Sequence, residues 1–229
     1  MAQVGIHALV GMAACRWLPP RTWLAPGLVL GNMLPDADIL AMAVATVAEL
    51  PTERLHRTFT HSLFTVAVVF LVFQVVASVI RRPEWCNLGL GLGLGILMHI
   101  ALDLAIWFRG VEILWPLPGK VDLWRDVVVP NWWSTFELPA EFLSFALLFL
   151  TLHCLAGRQG TDLSFLRRLR FWILIQCLLF VSLAVLAFAL GECHRVVHGA
   201  LYLPSLGLAI GVVIRMRWTL EGRTQRTPG

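Results

Sequence analysis
Residues 86–107 read CNLGLGLGLGILMHIALDLAIW, from Cys86 to Trp107, and the reading of this stretch decides the fold. Leu88–Gly95 alternates Leu and Gly, and a period of two is the spacing of a strand. Gly, however, is a poor strand residue, and the alternation lies inside an unbroken apolar segment. A helix needs about 20 apolar residues to cross roughly 30 Å of hydrocarbon, and this segment supplies them. The pairs Gly89/Gly93 and Gly91/Gly95 have the small-xxx-small spacing at which membrane helices approach one another closely. The stretch is therefore a membrane helix whose backbone packs against a neighbour.

The rest of the chain agrees. Of 229 residues, 58% are hydrophobic and 14% charged, against about 25% charged in an average soluble domain. Mean hydropathy is +0.76. This composition excludes an ordinary soluble enzyme, a disordered chain and a nucleic-acid-binding module. Four further stretches are long and apolar enough to span: Thr60–Ile80, Phe136–Ala156, Phe171–Leu190 and Val196–Ile214. Val4–Trp17 and Thr22–Leu34 are apolar but short, and Pro19-Pro20 separates them. They make two short crossings or one re-entrant hairpin. The expectation is an all-α polytopic bundle of about seven membrane helices. Residues 1–215 would form one integral membrane domain, and residues 216–229 a short basic cytoplasmic tail. The five cysteines (Cys15, Cys86, Cys154, Cys177, Cys193) are scattered without a Cys-x-x-Cys pair, which gives neither a disulfide framework nor a thiolate metal site. The N-terminus lacks a basic n-region and does not read as a cleavable signal.

Arginine placement predicts orientation. Arg16, Arg21, Arg81, Arg82, Arg158, Arg167, Arg168, Arg170, Arg215, Arg217, Arg223 and Arg226 all fall on one side of this topology. Only Glu84, Asp162 and Glu221 accompany them, so the formal +4 divides into +9 on that side and −5 on the other. The positive-inside rule places the Arg-rich side in the cytoplasm. The N-terminus is then outside and the C-terminus inside.

Seven polar residues stand out against this background: His7, Asp36, Asp38, His56, His61, His99 and Asp103. They arrive by four separate routes at one face, the outer one. His99 and Asp103 are i,i+4 and project from one helix face about 6 Å apart. Asp36 and Asp38 follow Pro35, which breaks the helical ladder. His56 and His61 are i,i+5 and converge if a helix starts between them, with Thr58 or Thr60 as its cap. A carboxylate such as Asp103 inside a span needs a partner and is a functional candidate by default. Imidazole and carboxylate together are ligands for a zinc-type ion, one or two in number. The competing reading is a polar plug that pins helices together.

Other polar residues carry less. Glu137 and Glu141 cap a helix at its positive end, unless Glu141 is a ligand or base. Glu192, His194, Arg195 and His198 read as interfacial, and His153 as structural. The tryptophans between residues 108 and 135 (Trp115, Trp124, Trp132, Trp133) fit an interfacial belt, and some can line a lipid-facing entrance.

Taken in order, the first-helix His7, Pro35-Asp-Ala-Asp38, His56-Arg-Thr-Phe-Thr-His-Ser62, His99-x-x-x-Asp103 and Leu114-Trp-Pro-Leu117 resemble the YdjM-like family of inner-membrane, metal-dependent hydrolases, over roughly residues 1–118. The resemblance implies a membrane-bound hydrolase with metal ligands at His7, Asp36, Asp38, His56, His61, His99 and Asp103. The His-x-x-x-Asp element is also similar to that of zinc-dependent phospholipases C. From about Asn131 onward no family motif is evident.

A metal-dependent hydrolase would use these residues as follows. Asp36 and Asp103 are carboxylate ligands, Asp38 a ligand or general base, and Arg57 a cation for developing negative charge, unless it pairs with Asp38. The substrate would be an ester or phosphoester, lipid-linked, presented by the bilayer. The rivals are a non-hydrolytic metal-binding membrane protein or cation transporter, and a structural protein packing through Gly89–Gly95.

Overall fold
The computed structural model describes residues 3–51, 55–107, 110–190 and 194–222. These fold into helices α1 (Val4–Ala14), α2 (Leu24–Met33), α3 (Ile39–Val47), α4 (Leu63–Ile80), α5 (Pro83–Ile106), α6 (Asn131–Gln159), α7 (Leu166–Leu190), α8 (His194–Arg215) and α9 (Arg217–Glu221). β pairing is confined, among the described residues, to an isolated antiparallel bridge between Val111 and Val121. The architecture is an all-α polytopic bundle.

Among the described residues five helices, α4 to α8, are long and apolar enough to cross a membrane, and six if a bent pair counts as one span. The expected seven are not reached among the described residues, and the bounds of the second short segment change. The apolar run Val4–Trp17 is too short, since at 1.5 Å per residue it extends only about 21 Å. The second short segment does not end at Leu34. Pro35 supplies no N–H and stops α2, the chain makes a 3-10 turn over Pro35–Asp38, and the apolar run after Asp38 resumes as α3. The two pieces meet at a bend of 46°, so the Asp36–Asp38 turn sits at the break of a divided helix.

The chain divides into two compact units, one of residues 11–129 and one of residues 3–10 with 130 onward. In the first, α2 lies against α5 with backbone on backbone. A Cβ at Gly27 would come within 2.8 Å of the Leu88 carbonyl, and one at Gly95 within 2.7 Å of the Asn32 nitrogen. Gly31 and Gly91 are equally crowded, against Leu92 and Leu24 respectively. The small-xxx-small pair expected at Gly91/Gly95 thus meets a matching pair, Gly27/Gly31. The contacts advance together along both helices, so α2 and α5 run in the same direction. Gly89 faces the other way, onto Phe73 of α4. A 3-10 turn over Phe59–His61 starts at Thr58 as expected, without a side-chain cap bond, and α4 itself begins later, capped by Ser62, which accepts from the Thr65 N–H at 3.1 Å.

The second unit is built on α6, whose buried face carries Phe142, Phe145, Phe149 and Leu152 at helical spacing. It turns into α7 through Gly160, left-handed at φ 68°, a conformation that costs glycine nothing. Gln176 on α7 donates to Ser205 on α8 at 3.1 Å, the kind of interhelical hydrogen bond membrane bundles use. Residues 217–221, expected to begin the tail, form α9, with Thr219 buried and bonded to Asp162 at 2.9 Å.

The glycine interface makes a testable contrast. Gly95→Leu must push α2 away from α5 and is expected to lower stability by at least 1–3 kcal/mol, the usual cost of overpacking. Gly207→Leu, where a new Cβ meets nothing within 4 Å, is expected to leave it within about 0.5 kcal/mol. Unfolding of both variants in the same detergent checks this.

Candidate metal centre
The site assembles where α2 breaks. The last carbonyls of a helix have no intrahelical donor, and Pro35 withholds another. One of these carbonyls, Asn32 O, accepts from His99 Nδ1 at 2.7 Å. A carbonyl only accepts, so the His99 proton is on Nδ1 and the Nε2 lone pair points into the cluster. The same logic holds for His61. Thr60 Oγ1 donates its proton to Asp38 Oδ2 at 2.9 Å. It is left to accept from His61 Nδ1, also at 2.9 Å. His61 therefore also presents a bare Nε2.

These two Nε2 atoms lie 3.2 Å apart. As lone-pair acceptors they do not bond each other when the rings are neutral. Asp36 Oδ1 stands 3.6 Å from His61 Nε2 and 3.8 Å from His99 Nε2. Both carboxylate oxygens of Asp36 are buried and make no hydrogen bond. A buried carboxylate facing two lone pairs is costly unless a cation lies between them. The geometry suits one: ligands at 2.0–2.1 Å from a tetrahedral ion stand about 3.3–3.4 Å apart. Asp36, His61 and His99 form a buried group able to hold a metal ion. Two imidazoles and a carboxylate are the ligand set of catalytic zinc sites that keep a fourth position open.

The remaining residues surround this triangle. Asp103 Oδ2 lies 3.6 Å from His61 Nε2 and 3.8 Å from His99 Nε2, and 3.4 Å from the Arg57 guanidinium. Asp38 faces the back of His61, at 3.6 Å from Nδ1. It also meets His56 Nδ1 at 2.9 Å and accepts from the Arg57 backbone N–H at 3.3 Å. Asp38 thus organises the 56–61 segment, the task of a group that orients metal ligands from behind. Three carboxylates and one guanidinium leave a surplus of two negative charges, which a divalent ion cancels.

Six of the seven expected residues therefore meet in one unit. The seventh, His7, is buried on α1 and belongs to the other unit. Arg57 pairs with Asp103 through its side chain and with Asp38 through its backbone. Glu141 does not cap its own helix: its Oε1 accepts from the Val4 N–H of α1 at 2.8 Å, and no side chain caps α6 at Pro130. His198 Nε2 meets the Leu138 carbonyl at 2.9 Å, and His153 accepts from Arg170 at the same distance. Glu192 and the side chains of His194 and Arg195 lie outside the described residues. Two members of the site went unread in the sequence, Thr60 and the Asn32 carbonyl. Pro35 was the available signal for the second, since it marks where helix carbonyls come free.

Fold and site together define a polytopic membrane protein with buried His/Asp groups that can hold a metal ion. The chain belongs to the YdjM inner membrane protein family, whose model matches residues 1–193. The match extends well past the motifs of residues 1–118, through α6 and α7. No curated protein and no solved structure matches the chain.

The two aspartates of the turn are expected to separate on metal analysis. Asp36→Asn removes a ligand oxygen and should abolish stoichiometric metal uptake by purified protein. Asp38→Asn leaves the triangle intact and should weaken affinity 10–100-fold, as loss of an orienting group does.

Proposed function
We propose that this protein is a membrane-bound metal-dependent hydrolase of an ester or phosphoester carried on an amphiphile. The observation that carries the proposal is the Asp36–His61–His99 triangle, a buried group able to hold a metal ion with both imidazole Nδ1 atoms engaged from behind. Zinc is the ion that best suits two nitrogens and one oxygen in a buried, four-coordinate setting. When bound, such an ion acts as a Lewis acid toward the scissile group and lowers the pKa of water.

The protein's own residues do the rest. Asn32 and Thr60 hold the two imidazoles in the tautomer that leaves Nε2 free. Asp38 fixes Thr60, His56 and the Arg57 backbone, and so sets the position of His61. Arg57 screens Asp103 and offers a cation to negative charge building on a phosphoryl oxygen. His56 carries its proton on Nδ1 against Asp38, which leaves Nε2 as an acceptor for a substrate or water proton. Orientation follows from the shared direction of α2 and α5. Arg16 and Arg21 precede one, Arg81 and Arg82 the other, so all four mark one end. Placing that end in the cytoplasm puts the centre toward the opposite leaflet and the C-terminus inside.

A second reading has one observation in its favour. The centre sits at the break of a divided helix, and freed carbonyls at such breaks are how transporters hold cations. It predicts metal flux without turnover.

Purified protein in nanodiscs, given phospholipids, lipid diphosphates and carboxylic esters, separates the two. Hydrolysis of at least one class is expected, falling about 100-fold or more with chelator or with His61→Ala, and returning with zinc in the wild type. Turnover indifferent to both chelator and substitution would sink the mechanism, and zinc flux in liposomes without turnover would favour the transporter. A His7→Ala variant in the metal assay tests the sequence expectation that His7 is a ligand.

A further inference from the structure
The segment between α5 and α6 is unlike an aqueous loop. Leu114, Leu117, Leu123 and Val128 are 57%, 62%, 66% and 91% exposed, and none belongs to a helix. A run of large apolar side chains on irregular backbone marks an interaction surface when it faces outward. Its anchors say what it meets. The segment starts a few residues after α5 ends at Ile106 and stops just before α6 begins at Asn131. Hydrogen bonds tie it to the last turn of α5 at Leu104 and to the first residue of α4 at Leu63, the ends at which these membrane-length helices reach the boundary. Lys120, Arg125 and Asp126 are exposed among the apolar residues, a mixture suited to the headgroup region.

The same segment is fastened to the metal-centre loop on both sides of His61. The Glu112 N–H donates to the Arg57 carbonyl at 3.1 Å, and the Leu63 N–H to the Ile113 carbonyl at 2.9 Å. The Trp115 ring lies 6.1 Å from the rings of both Phe59 and Phe64. Trp124 Nε1 donates to the Leu104 carbonyl in the last turn of α5 at 3.1 Å. Whatever holds residues 111–128 also holds His56, Arg57 and His61.

We propose that residues 111–128 are a docking surface for the headgroup–acyl boundary of the bilayer, across which an amphiphilic substrate reaches the Asp36–His61–His99 centre. The seating in lipid stands on the observations above; the entry route rests on the hydrolase reading. The occupant is lipid because the apolar surface is continuous along the chain with two membrane helices.

Spin labels test the seating without any assay of turnover. Leu117→Cys, Leu123→Cys and Val128→Cys are each labelled in full-length protein whose native cysteines are replaced by serine or alanine. The protein is held in nanodiscs of phosphatidylethanolamine and phosphatidylglycerol. Collision with oxygen is expected to exceed collision with a water-soluble nickel chelate at all three positions. Preference for the nickel reagent overturns the docking surface, and protection from both reagents overturns lipid in favour of a protein contact. The entry route is tested by the triple variant Leu117→Ser, Leu123→Ser, Val128→Ser. Its rate on bilayer phospholipid, divided by its rate on a soluble short-chain phosphodiester, should fall about tenfold from wild type. An unchanged ratio overturns the route. No turnover of either substrate by wild type removes the hydrolase reading and the route with it, and leaves the label result standing for the surface alone.

Discussion
The backbone of α2 lies directly on the backbone of α5, and the metal centre depends on that contact. Lipid tails are as apolar as leucine, so a membrane bundle gains little from hiding apolar surface and much from close packing. Four glycines, Gly27 and Gly31 against Gly91 and Gly95, allow it. The consequence for chemistry appears one turn further along each helix. Gly95 abuts Asn32, and four residues on, His99 bonds the Asn32 carbonyl at 2.7 Å. A side chain at any of the four glycines would separate the helices and move the imbalance of a whole turn onto that hydrogen bond. The glycines are thus part of what holds the His99 ring against the Asn32 carbonyl.

A second constraint is charge. Asp36, Asp38 and Asp103 are almost wholly buried among apolar helices, with Arg57 beside them. A carboxylate at mid-membrane costs roughly 2.5–3.5 kcal/mol on insertion scales, and paired burial recovers that only with good geometry. Asp38 has such geometry, with His56, Thr60 and the Arg57 N–H as partners. Asp36 has none of these. A polar plug that merely pinned helices would satisfy its carboxylates from within, as Asp162 does with Arg215 and Thr219. The contrast between Asp36, which faces His61 and His99 at 3.6 and 3.8 Å, and Asp162 is what the metal-site proposal rests on.

The sequence disclosed the residues of this centre more readily than their division of labour. Each ionisable group in an apolar run demanded a reason, so Asp36, Asp38, His56, His61, His99 and Asp103 could be gathered before any coordinates. The Gly91/Gly95 spacing named one half of the helix interface. It could not name Gly27/Gly31, because Pro26 and the shortness of the Thr22–Leu34 run obscured the helix they belong to. The apolar run 39–47 was passed over for a related reason: nine residues are too few to cross a membrane alone, and its partnership with α2 exists only through the bend. Asp38 looked equivalent to Asp36 at two residues' distance. In a 3-10 turn, residues two apart point in different directions, so one faces the bare nitrogens and the other the back of His61. Orientation of that kind is a property of the turn and has no signature in composition or spacing.

Arg57 shows how the centre is kept in shape. Its backbone is left-handed, at φ 61°, which costs an L residue roughly 1–2 kcal/mol. Glycine would adopt this conformation without penalty, yet the position holds the most rigid cation available. The backbone explains how the strain is sustained: the N–H is taken by Asp38 and the carbonyl by Glu112. The side chain explains what the strain secures. With φ positive the chain reverses between His56 and Thr58, so that His56 meets Asp38 while the guanidinium reaches Asp103 at 3.4 Å. A right-handed Arg57 would relax locally and lose one of those two contacts. Strain of this size persists only where surrounding contacts over-determine it. Here they come from the broken helix on one side and the loop after α5 on the other, so the residue that screens the carboxylates is also the one that locks those two segments together.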